Sequence, residues 1–176
     1  MMSIVTTGEK NGYYVDIFRS RKVEGGDKMH DYFYHNLGQT LTLTAADGTD
    51  LNLQPTEELA FAGAHLYAYS YLYDKKVAAT GKDVKATFTI DMKDKGGDDI
   101  SMNLWMKGEP DREVFTALSP MTEGLSRTPG MPYNIKEQPT LTFVARQHGE
   151  AWNRPFVAVY EPSTRKEPSA IQAVSY

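Results

Sequence analysis

Val84-Lys85-Ala86-Thr87-Phe88-Thr89-Ile90-Asp91-Met92 alternates apolar and polar residues without a break. A period of two places every apolar side chain on one face of an extended chain, so this stretch predicts a half-buried β-strand. Ile100, Met102, Leu104 and Met106 repeat the pattern against Ser101, Asn103 and Trp105. Between the two runs lies Lys93-Asp94-Lys95-Gly96-Gly97-Asp98-Asp99, a polar, glycine-bearing turn, and together they read as a hairpin.

The same pattern extends outward in both directions. Ser3 to Thr7 and Tyr13 to Arg19 flank Gly8-Glu9-Lys10-Asn11-Gly12, where Asn11-Gly12 tolerates positive φ, and form a second hairpin candidate. Leu41, Leu43 and Ala45 alternate with threonines up to Asp47-Gly48, and Leu51 and Leu53 follow. Glu113 to Ser119, Thr140 to Gln147 and Arg154 to Glu161 read as further strands, with Ile171 to Tyr176 a last one. Helix is scarce: Pro55 to Ala60 offers a proline and acids for one turn at most. The proline- and glycine-punctuated stretch from Met121 to Gln138 predicts a long irregular loop of the kind that often carries function. The expected fold is all-β, an antiparallel β-sandwich or layered supersandwich of about ten strands, in a single domain over residues 1–176.

Composition narrows the function classes. The 176 residues contain no cysteine, which removes disulfides, thiolate metal sites and thiol catalysis. The formal charge of -4 argues against a phosphate backbone as partner, so no nucleic acid is expected. No apolar run approaches the roughly 20 residues that cross a bilayer, and Met1 to Val5 lacks a signal-peptide pattern. Tyrosine is abundant, 11 against 7 Phe and 2 Trp, which suits a half-buried sheet face and also the stacking of sugar rings.

The densest polar cluster runs from Arg19 to Asn36, with Gly25-Gly26 as a tight connection between one strand and the next. In the strand starting near Met29, Asp31, Phe33 and His35 share one face, and His30, Tyr32, Tyr34 and Asn36 the other. Asp31 and His35 stand roughly 13 Å apart along an extended chain, too far to bond directly. His30 and His35 point to opposite faces, and His65 and His148 are isolated in sequence, so neither metal nor cofactor is predicted. No Gly-x-Ser-x-Gly, phosphate loop or dinucleotide pattern occurs. The histidines are expected to brace a hairpin by hydrogen bonds. Asp16 interrupts the apolar strand Tyr13 to Phe18 and requires a partner, with Arg19, Arg21 or a histidine across the hairpin as candidates. Trp152, beside Gly149-Glu150, is expected to cap a sheet edge or to serve as a sugar platform. Arg19, His30, Asp31, Tyr32, His35 and Trp152 are thus the candidate substrate-facing or structural residues.

Val15-Asp16-Ile17-Phe18-Arg19, Gly25-Gly26 and His30-Asp31-Tyr32-x-x-His35 resemble a stretch of the heparinase II/III-like polysaccharide lyases, which include alginate and oligoalginate lyases. Phe115 to Pro120, Pro139 to Gln147, Gly149 to Trp152 and Pro155 to Pro162 resemble later strands of the same sandwich, in the same order. The resemblance implies a share in β-elimination of uronic-acid polysaccharides. There a base removes the C5 proton while the carboxylate is neutralised. In that family an α/α toroid and an early His-rich segment, which holds zinc in several members, supply the chemistry. Neither has a counterpart in these residues, so no catalytic or metal residue carries over. The chain alone is expected to lack the catalytic residues and to be inactive, with an acidic polysaccharide or oligosaccharide as partner. A periplasmic or secreted location within a longer parent follows from the resemblance. A sheet without its cover is expected to form a homodimer. The alternative is a stand-alone carbohydrate-binding or partner-binding sandwich without catalysis.

Overall fold

The computed structural model describes residues 2–24, 26, 29–60, 67–122, 129–130, 132, 135 and 137–176. Among them the chain forms eleven strands: β1 (Met2–Thr6), β2 (Gly12–Ser20), β3 (Met29–Asn36), β4 (Thr40–Ala45), β5 (Gln54–Pro55), β6 (Tyr73–Ala79), β7 (Val84–Ile90), β8 (Ile100–Met106), β9 (Arg112–Ser119), β10 (Thr140–His148) and β11 (Ala151–Thr164). The helices are two 3-10 turns, Tyr67–Tyr71 and Lys93–Lys95.

The strands make two antiparallel sheets, the all-β sandwich that the alternating runs predict. One has the order β1-β2-β11-β8-β7-β4, the other β3-β10-β9-β6-β5. The inward residues of the deciding hairpin, Val84, Ala86, Phe88, Leu104 and Met106, are all nearly inaccessible. They meet Val114, Phe143 and Ala145 of the facing sheet in one apolar core. Gly96 closes the hairpin loop at φ 66, a conformation that costs a Cβ-free residue little.

Several connections switch sheets, and this corrects the expected pairing. β2 and β3 belong to different sheets, so Arg19 to Asn36 is a crossover and not a hairpin. β10 and β11 likewise part company through Gly149, at φ 75. β11 carries a register shift against β2 between Ala151 and Phe156, around Pro155. Proline has no N–H for the ladder, and a bulge is where a strand tolerates it.

Three further expectations change. Pro55 to Ala60 is not helical: Gln54 and Pro55 pair with Val77 and Lys76, and Thr56 N–H donates to the Lys75 carbonyl. Ile171 to Tyr176 forms no strand; Ile171, Ala173, Val174 and Tyr176 lie against Tyr13, Val15, Ile17, Val157 and Val159 on the outer face of the six-stranded sheet. Leu51 and Leu53 lie outside any strand and pack against the core. Gly25, His65 and most of the Met121–Gln138 loop fall outside the described residues.

The outer face of the five-stranded sheet is covered as well. Leu59, Leu72, Phe115, Ala117 and Val144 form a second apolar cluster, joined by Phe33, Tyr69 and Val77. This cover explains why Leu141 to Gln147 is buried on both faces rather than alternately.

Candidate functional site

β3 projects its two faces into different surroundings, as the period of two requires. Tyr32 and Tyr34 enter the core. The Tyr32 hydroxyl donates to Asp16 Oδ2 at 2.8 Å and contacts the Tyr160 hydroxyl. Asp16 therefore meets Tyr32, a residue outside the set of Arg19, Arg21 and the histidines that the sequence offered; positions 16 and 19 lie on opposite faces of β2. His30 Nδ1 lies 2.9 Å from Ser20 Oγ, tying the start of β3 to the end of β2 across the two sheets.

Asp31, Phe33 and His35 face outward into a groove of about 570 Å³, walled on the other side by Ala68, Tyr69, Tyr71, Leu72, Ser119 and Pro120. Arg146 grips Asp31 with two parallel bonds, Nε to Oδ1 at 2.7 Å and Nη2 to Oδ2 at 2.8 Å. Its Nη1 reaches Glu58 Oε2 at 3.3 Å, and its guanidinium lies over the Phe115 ring. Tyr69, from the first 3-10 turn, donates its hydroxyl to Asp31 Oδ2 at 2.5 Å. Burial first, and then the bond to Asp31, hold the Tyr69 phenol well above its ordinary pKa, so it stays protonated and keeps its O–H as the donor to Asp31. Phe33 packs edge-on to Tyr69, with centroids 5.3 Å apart, and stacks on His35.

His35 Nδ1 lies 2.9 Å from Thr142 Oγ1, which in turn lies 2.7 Å from Ser119 Oγ. Burial lowers the His35 pKa, so its imidazole is neutral at pH 7 and offers one donor and one acceptor nitrogen. The groove thus combines aromatic faces with a neutral imidazole and hydroxyls. A saccharide presents the complementary chemistry, apolar ring faces and hydroxyl edges. Tyr71, more than 60 % exposed, stands at its rim.

Arg19 and Trp152 gather on the outer face of the six-stranded sheet, next to the Ser20–Ala151 pair where β2 meets β11. Arg19 donates to the Trp152 carbonyl and to the Tyr176 hydroxyl. Arg21 lies over the Trp152 ring, 4.6 Å from its centroid. Of the six candidates, Asp31 and His35 share the groove, Arg19 and Trp152 share the outer face of the other sheet, Tyr32 lies in the core and His30 meets Ser20. Among the described residues no group of three or more His, Asp or Glu side chains could hold a metal ion.

Sequence reading missed Tyr69, Arg146 and Glu58. Arg146 carried a usable signal. It follows Leu141-Thr142-Phe143-Val144-Ala145, a run apolar enough for burial on both faces, and a cation there requires a carboxylate partner. Tyr69 and Glu58 carried none, because they arrive from a segment without periodicity.

The fold and the groove define a β-sandwich with an aromatic-lined outer cleft. The chain is similar to an endo-acting ulvan lyase of Formosa agariphila, 34% identical over 178 residues that include 99% of this chain and 20% of that protein. It thus spans about a fifth of that relative's length. No family model and no solved structure matches.

Proposed function

We propose that the chain is the β-sandwich part of a heparinase II/III-like polysaccharide lyase, contributing saccharide binding while the eliminating groups reside elsewhere in the parent enzyme. The observation that carries the saccharide role is the groove over β3. Phe33, Tyr69 and Tyr71 offer ring faces there, with the neutral His35 and Ser119 beside them. The similarity to an endo-acting ulvan lyase makes ulvan the first polymer to test.

The inactivity of the chain alone has its own support. Elimination next to a uronate needs a cation to offset the carboxylate while a base takes the C5 proton. Arg146, behind the Asp31 wall of the groove, is already committed to Asp31 through both arms of its fork. The protonated Tyr69 serves Asp31 and not a substrate. An exposed apolar stripe supports the reading of a part within a larger whole. Ile4 faces Tyr14 across the β1–β2 ladder, flanked by Met2 and Phe18, and all four are exposed by 38% or more. Such a stripe calls for a covering surface, either the rest of the parent or a second copy. On this reading the protein acts where the polymer is, in the periplasm or outside the cell, and takes no cofactor of its own.

Affinity electrophoresis in gels cast with ulvan tests the binding. The wild-type chain is expected to be retarded, and Tyr71→Ala to lose about tenfold in affinity, the equivalent of about 1.4 kcal/mol for one aromatic face. Ultraviolet absorbance of the unsaturated product is expected to stay flat. Unchanged mobility in ulvan, or turnover by the isolated chain, overturns the proposal.

A further inference from the structure

We infer that Arg19, Arg21, Trp152 and Tyr176 form a second saccharide site, separate from the groove over β3, that selects an anionic sugar through its carboxylate or sulfate group. The inference rests on the saccharide-binding reading and adds the place where the ligand's anionic group is held. Arg19 lies on the outer face of β2, in the row Tyr13, Val15, Ile17 that the C-terminal segment covers. That segment ends with Tyr176, whose hydroxyl accepts from Arg19 Nη2. Arg19 Nη1 donates to the Trp152 carbonyl. Arg21 lies over the Trp152 indole, its guanidinium carbon 4.6 Å from the ring centroid, a contact that fixes a long side chain near its neighbour.

The two guanidinia carry more donors than the protein uses. A guanidinium has five N–H groups. Among the described residues Arg19 directs its two bonds to neutral oxygens, and Arg21 is held through the ring contact. Among the described residues no carboxylate lies within ion-pairing distance of either. The nearby Glu150 carboxylate caps its own turn, its Oε2 accepting from the Trp152 and Asn153 backbone N–H groups at 2.6 and 2.9 Å. In a chain whose formal charge is -4, two adjacent arginines without carboxylate partners form a local exception.

Space and an apolar surface accompany the charge. A hollow of about 510 Å³ opens beside Arg19 and Tyr176, which line it together with Ile17 and Phe18. Trp152 keeps 43% of its surface exposed. Arginine forks match the planar, two-oxygen geometry of a carboxylate or sulfate, and aromatic surfaces match the apolar ring face that bears it. A phosphate backbone would use the forks and leave the ring surfaces idle.

Calorimetric titration of the full chain with an oligoalginate hexasaccharide tests the site, with cellohexaose and inorganic sulfate as parallel arms. Arg21→Gln is expected to lower affinity for the uronate oligomer about tenfold, and Arg19→Gln at least as much. Both losses should shrink in high salt, where the charge is screened. Cellohexaose binding, which uses only the β3 groove, should be unchanged by either variant and about tenfold weaker in Tyr71→Ala. Equal uronate affinity in wild type and Arg21→Gln overturns this site while leaving the groove intact. Sulfate binding as tightly as the oligomer overturns the saccharide assignment of this site.

Discussion

Asp31→Ala is expected to cost about 3–5 kcal/mol of unfolding free energy, read from the urea midpoint at constant slope. The side chains of Asp31 and Arg146 are only 6% and 9% exposed. Removing the carboxylate leaves a guanidinium in an apolar setting, beside Phe115 and Phe33, with only Glu58 at 3.3 Å to oppose its charge. Glu58 is half exposed and offers a screened, single contact. Tyr69 loses its acceptor at the same time, so the 3-10 turn that carries Tyr69 and Tyr71 loses its tether to the sheet. Saccharide retardation should therefore fall together with stability. Replacing both partners, as in Asp31→Leu with Arg146→Met, is expected to recover most of the loss. Apolar side chains fill the space without an unpaired charge, so the two changes should be strongly non-additive. A midpoint for Asp31→Ala within about 1 kcal/mol of wild type, or strict additivity in the cycle, would mean that water reaches the pair and that the fork does not hold the groove wall.

The same pair marks how far the sequence is legible. The faces of β3 follow from its period of two, and Asp31, Phe33 and His35 do share the outer one. What that face meets did not follow, because Tyr69, Arg146 and Glu58 come from remote positions brought in by tertiary packing. The β7–β8 hairpin was legible because its signal is local: alternation, a polar glycine turn, alternation again. β6 was not. Its sequence, Tyr73-Asp74-Lys75-Lys76-Val77-Ala78-Ala79, has no apolar period, and it joins the sheet through pairing with β9. Ile171 to Tyr176 carries a strand-like composition but serves as a cover over Val157 and Val159. The Arg19 to Asn36 stretch reads as a hairpin because a tight turn between strands looks the same whether it joins neighbours or crosses between layers. Periodicity reports which side of a strand is apolar; it does not report which sheet the strand enters.

Above pH 10 the protein is expected to lose stability steeply, and the hydroxyl cluster at the open end of the core sets the slope. Tyr32 and Tyr160 are 8% and 7% exposed, and their hydroxyls meet each other beside Asp16. Burial, and then the neighbouring phenol and carboxylate, push the Tyr32 pKa far above the ordinary 10.0. Burial also raises Tyr160, with the charge of Asp16 adding to it. A phenol whose folded pKa lies above its unfolded value stabilises fully below pH 10, and that contribution drains away as pH rises toward the folded pKa. Each such tyrosine removes about 1.4 kcal/mol per pH unit in that window. Arg112 opposes them. Enclosed in the core against Gln147 and the Phe156 ring, it is pushed down to about 10 by burial, so between pH 10 and its unfolded value it adds stability at the rate of one group. Two buried phenols against one guanidinium leave a net loss of about 1.4 kcal/mol per pH unit. Tyr34 and Tyr69, both raised chiefly by burial, act in the same direction as the phenols. Urea melts at stepped pH measure the slope. The double variant Tyr32→Phe with Tyr160→Phe starts from lower stability, because Asp16 loses the Tyr32 donor, yet its curve above pH 10 should be distinctly flatter. A double variant that loses stability with pH as fast as wild type would place the alkaline sensitivity outside this cluster, and with it the claim that the end of the sandwich near β2 and β3 is closed by protonated phenols.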